Sequence, residues 1–94
     1  VAVQGEQVSA LITRCADLTG LSEADILGRS RDPRLVRSRW AVALALRWRG
    51  ESLPAIGRVL NKHHTTILNG IQQGEVQPEV LALAAVIHLE SGAA

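Results

Sequence analysis

The densest run of side chains able to do chemistry is His63, His64, Thr65 and Thr66, with Lys62 just before it and Asn69 three residues after. Imidazole, hydroxyl and amide groups on short stems can donate to and accept from base edges, which is what reading a duplex from the major groove requires. If the run opens a helix, free backbone N–H groups of the first turn stand beside these side chains and suit a phosphate. Other chemistries fit less well. Adjacent histidines at a helix start are expected to point in different directions, and neither has a carboxylate or another histidine at i+3 or i+4, so no metal site is expected. Cys15 and His88 suggest a nucleophile and its base, yet Cys15 falls on the apolar side of its segment, where a buried thiol is inert. No GxxxxGK[ST] loop occurs in the 94 residues, so no nucleotide is expected to bind in the P-loop manner. Neither a catalytic residue nor a cofactor is expected.

Charge points the same way. The formal net charge is +1, but it is unevenly spread. Residues 1–28 carry Arg14 against Glu6, Asp17, Glu23 and Asp25, a balance of −3. Residues 29–69 carry Arg29, Arg31, Arg34, Arg37, Arg39, Arg47, Arg49, Arg58 and Lys62 against Asp32 and Glu51, a balance of +7. Glu75, Glu79 and Glu90 return −3 at the end. A basic middle between acidic ends gives one face a potential that steers a polyanion. Eight of the nine bases are Arg, whose planar fork suits phosphate and base acceptors. With two Trp, no Phe and no Tyr, the chain lacks the aromatic platform of single-strand binders. Double-stranded DNA is the expected partner.

Helices must position these groups. Val8, Leu11, Ile12, Cys15, Ala16 and Leu18 recur at three- and four-residue spacing, predicting an amphipathic first helix ended by Gly20. Ser22 caps a short second helix closed by Gly28. Arg29 to Arg31 form a basic connector, and Asp32 followed by Pro33 signals a long third helix running to about Arg49. Its later half is apolar, so it should cross the core. Ser52 caps a fourth helix from Leu53 to about Leu60, and the fifth runs from His64 to about Gln73, ended by Gly74. Gln77 and Pro78 start a sixth, on which Val80, Leu81, Ala84 and Ile87 are expected to pack. No segment alternates as a strand does, and the class is all-α. Ile56 and Leu60, with Ile67, Leu68 and Ile71, are the inward faces of a helix-turn-helix, with Gly57 at the crossing and Asn61 where the chain reverses.

The run Ile56-Gly57-Arg58-Val59-Leu60-Asn61-Lys62-His63-His64-Thr65-Thr66-Ile67 resembles the signature of the C-terminal, DNA-binding domain of the bacterial replication initiator DnaA. The resemblance reaches upstream through Ala24-Asp25-Ile26-Leu27, the connector and Ser52-Leu53-Pro54, and covers roughly residues 8 to 90. It implies a six-helix, Trp-repressor-like domain that reads a short asymmetric box in replication initiation or transcription regulation. The helix-turn-helix would enter the major groove and the connector the adjacent minor groove. Carried over by position, Arg31 matches a minor-groove arginine, and His64 and Thr65 match major-groove base contacts. Thr66 and Asn69 match supporting contacts, Pro54 a contact at the start of the helix-turn-helix, and Arg39 and Arg47 phosphate contacts. Arg29, Arg34, Arg37, Lys62 and His63 complete the expected DNA-binding set. Two features depart from the family pattern. His63 stands where an acidic residue is usual, and Asn61-Lys62 make a turn one residue shorter than the commoner Gly-bearing one.

Length and composition frame these expectations. Ninety-four residues, 47% hydrophobic and 20% charged, predict one folded domain. The apolar runs Ala41 to Leu46 and Leu81 to Ile87 are far shorter than the roughly 20 residues of a membrane span, and a single Cys predicts a reducing compartment. A soluble, cytoplasmic, nucleoid-associated protein is expected. The absence of Met fits either a trimmed initiator or a piece of a longer chain. An alternative from a different class is a helical adaptor that keeps the fold and docks a protein partner on its sixth helix.

Overall fold

The computed structural model describes residues 5–90, with side chains from Val8 to Leu89. Six helices follow in order: α1 Gly5–Thr19, α2 Glu23–Ile26, α3 Pro33–Trp48, α4 Leu53–Leu60, α5 His64–Glu75 and α6 Pro78–Glu90. Their starts are set locally. Ser22 Oγ accepts from Asp25 N at 3.0 Å, Asp32 Oδ1 from Arg34 N at 2.9 Å and Ser52 Oγ from Ala55 N at 3.2 Å. Each satisfies a backbone donor that the first helical turn leaves unpaired. Gly20 and Gly50, with φ of 74° and 93°, end α1 and α3 in the left-handed conformation that other residues avoid.

The long third helix is the axis of the core and touches every other helix. Its six consecutive residues Ala41 to Leu46 are all buried, more than one full turn, so the helix is covered on every side. Against it lie Leu11, Ile12 and Cys15 of α1, Ile26 of α2, Ile56 and Leu60 of α4, Ile67 and Ile71 of α5, and Val80, Ala84 and Ile87 of α6. The packing expected of α6 is therefore realised on its inner face, while Val86 and Leu89 stay exposed. Cys15 is buried with its Sγ toward the Ser38 carbonyl, and burial pushes its thiol pKa up to about 11, as an inert core thiol requires. Among the described residues no helix is long and apolar enough to cross a membrane.

Gly74 does not end α5, as its type suggested. It lies inside the helix, where a Cβ would stand 2.9 Å from Leu44 Cδ1 and 3.0 Å from Val80 Cγ1, so its missing side chain is what lets α5 close on α3 and α6. Gly70 makes the same kind of close approach, a turn earlier, against the Trp40 indole. Leu18 and Leu68, assigned inward by spacing, are each 42% exposed. Periodicity selects a face of a helix, but burial needs a neighbour over that position.

Candidate nucleic-acid interface

α4 and α5 form the helix-turn-helix. Ile56 and Leu60 meet Ile67 and Ile71 in the core, and the helices cross at Gly57, where a Cβ would lie 2.5 Å from the Lys62 carbonyl oxygen. Asn61 makes the reversal at φ 55° and ψ 47°, which Asn tolerates because its short polar side chain relieves the left-handed conformation. Lys62 N then donates to Gly57 O at 2.9 Å. This closes the turn and delivers His64, Thr65, Thr66 and Asn69 exposed on the first two turns of α5.

His63 is the N-cap of α5. Its Nδ1 accepts from Thr65 N at 3.2 Å and lies 2.8 Å from Thr65 Oγ1. A neutral ring that accepts at Nδ1 carries its proton on Nε2, so the other edge of the ring is a donor. The two histidine rings do not diverge as expected. Their centroids are 4.2 Å apart with planes tilted by 33°, because the cap turns His63 back over the start of the helix. Among the described residues no three His, Cys, Asp or Glu side chains group as metal ligands would.

The basic connector faces the same side. Arg29, Ser30, Arg31 and Arg39 line a groove of about 430 Å³ together with Lys62 and Thr66 and the apolar Val36, Trp40, Ala43 and Ile67. Lys62 also borders a shallower depression with Pro54, Arg58, His63 and His64. Eight of the expected residues, Arg29, Arg31, Arg39, Pro54, Lys62, His63, His64 and Thr66, thus line two depressions that share Lys62 at the helix-turn-helix turn. Arg58 was not among the expected contacts. It is exposed and borders Pro54 and His64, and the signal was available: it lies four residues after Pro54, hence on the same outward face of α4.

Other expected contacts sit elsewhere. Arg34 and Arg37 border a different groove, with Thr19, Leu21, Glu79 and Leu83 of the α1 and α6 side. At 100° per residue they are turned away from the face that Val36, Trp40 and Ala43 present to the connector. Arg34 also pairs with Asp32, Nη2 to Oδ2 at 3.1 Å, and that pairing holds the Asp32 carboxyl below its usual range and raises the guanidinium. Arg39, expected on a phosphate, lines the connector groove but is only 8% exposed, and its guanidinium donates to the carbonyls of Ile26, Asp25 and Ser30. Arg47 remains exposed at the end of α3, with Nη1 donating to Glu51 O at 2.9 Å, just ahead of the Ser52 cap.

No curated protein matches this chain. The family model described as the bacterial dnaA protein helix-turn-helix matches residues 8–73, from α1 almost to the end of α5, leaving α6 outside the match. With the greater part of the chain so matched, connector and helix-turn-helix included, the protein belongs to the bacterial DnaA helix-turn-helix family.

Proposed function

We propose that this protein binds a short, asymmetric duplex site, with the start of α5 in the major groove and the Arg29 to Arg31 arm in the adjacent minor groove, to initiate replication or regulate transcription there. DNA binding through a helix-turn-helix is the property of the family; the two-groove reading goes further. What supports it is one observation: arm and recognition helix flank a single groove, with Lys62 at their junction. Arg29, Arg31, Arg47, Arg58 and Lys62 are placed to neutralise about five phosphates. The logarithm of affinity should then fall with the logarithm of salt at a slope of roughly −4 to −5. Selection of bound sequences from a random duplex pool, followed by salt titration of the enriched site, tests this. A folded protein that enriches no motif, or a slope near zero, would move the chain to the adaptor reading.

Arm and anchor should separate by mutation. Arg31→Ala should weaken binding mainly at A·T-rich flanking positions, because the minor groove distinguishes A·T from G·C by donor pattern and width. Arg47→Ala should weaken all duplexes about equally and lower the salt slope by about one. Equal losses on every duplex for the two variants would contradict that division.

A further inference from the structure

We infer that Arg39, which lines the groove beneath the connector but is almost fully buried there, is the positioning residue of the minor-groove arm: it touches no DNA and holds Arg29 to Arg31 in the shape that reads. The inference rests on the two-groove reading above. Residues 28–31, Gly-Arg-Ser-Arg, contain no apolar side chain to anchor them, and a polar four-residue stretch left to itself samples many conformations. Their order comes from polar ties to the body of the fold. Arg39 Nε donates to Ile26 O at 2.7 Å and Nη2 to Asp25 O at 2.8 Å, where α2 ends, while Nη1 donates to Ser30 O inside the arm. One planar, always charged fork therefore grips both ends of the arc. Burial acts against its charged form and the Asp25 carboxylate favours it. Lysine could not span three carbonyls from one point charge in this way. From the other side Lys62 Nζ reaches Gly28 O at 3.5 Å, so the turn that sets the recognition helix also touches the arm. A pre-shaped arm loses less entropy on binding than a loose one, and its arginine meets the minor groove in register with α5.

Three measurements test this. Backbone amide relaxation of the free wild-type protein should give residues 29–31 order parameters close to those of the helices, about 0.85; values of a flexible loop would overturn the inference without any variant. Arg39→Gln should lose about tenfold in affinity for the selected duplex. The loss should fall on A·T discrimination at arm-side positions, with selectivity at recognition-helix positions kept. Arg31→Ala combined with Arg39→Gln should bind no worse than Arg31→Ala alone, since both remove the same reading. Equal loss on every duplex, with A·T discrimination at arm-side positions kept, would make Arg39 a phosphate contact and overturn the inference, as would additive losses in the double variant. If Arg39→Gln melts below the assay temperature, Arg39→Lys takes its place, and the same discrimination decides. Failure of duplex reading itself would be distinct, because the wild type would then enrich no site.

Discussion

Gly57→Ala should destabilise the protein by roughly 2 kcal/mol and abolish duplex binding. The added Cβ would stand 2.5 Å from the Lys62 carbonyl oxygen and 3.7 Å from His64 N. Both are backbone atoms, so no rotamer change relieves the overlap. The Lys62 peptide is further fixed by its bond to Gly57 O, and moving it displaces Asn61, the His63 cap and the first turn of α5 together. Forcing a methyl group into such a contact costs about 3 kcal/mol, against which alanine recovers about 1 kcal/mol of helix propensity. For a chain of this size the net loss lowers the melting temperature by about 10 °C. Gly50→Ala is the control: a Cβ there meets nothing within 4 Å, so only the left-handed backbone is penalised, by about 1 kcal/mol. Denaturant unfolding and duplex titration of both variants decide. A Gly57→Ala protein that unfolds and binds like wild type would mean the helices can separate without losing the interface.

His63→Asp should move the base preference while leaving the fold intact. In the wild type the ring's Nδ1 is occupied by the Thr65 amide, so it is Nε2–H that is left for DNA, a donor suited to N7 of guanine or adenine. Aspartate is also a favoured N-cap and keeps that bond to the start of α5, but every other lone pair it offers is an acceptor, suited to cytosine N4. The preferred base at the facing position should change from purine to cytosine, with the preference ratio moving about tenfold or more. Overall affinity should fall as a carboxylate replaces imidazole beside phosphate. Because the cap survives, melting should not fall. His63→Ala, by contrast, should lose about 1 kcal/mol with the cap and become indifferent at that base. The measurement is binding of the three proteins to duplexes varied at one base pair. An unchanged preference in His63→Asp would reduce His63 to a cap and leave specificity to His64, Thr65 and Asn69.

Arg31 and Arg39 show where reading from sequence stops. Both are arginines in one basic stretch, and the family resemblance assigns both to DNA. Only the fold separates them: both line the groove, but Arg31 is exposed there, whereas Arg39 is buried on Asp25, Ile26 and Ser30, nine to fourteen residues back. The α3 turn sends Arg34 and Arg37 to yet another side. Of nine bases in the middle of the chain, charge alone could not say which face solvent and the duplex and which carry internal structure. Arg58 is the converse case, a base counted in the charge balance but given its place beside Pro54 and His64 only by the outward face of α4.

Helix starts and the reversal at Asn61 were legible in the chain, because each depends on groups within three or four positions. Ser22, Asp32 and Ser52 cap the turn they precede, and Asn61 supplies its own left-handed backbone. What covers what was settled only when the helices packed. Leu18 and Leu68 lie exposed for want of a neighbour, Gly74 serves a three-helix contact rather than a helix end, and the arm takes its shape from Arg39 and from Lys62, 34 residues away from Gly28. Caps and turns are satisfied by local hydrogen bonds and survive in a reading of the chain. Burial, glycine contacts and the partner of a guanidinium are properties of surfaces that meet only when distant helices come together, and no local pattern encodes them.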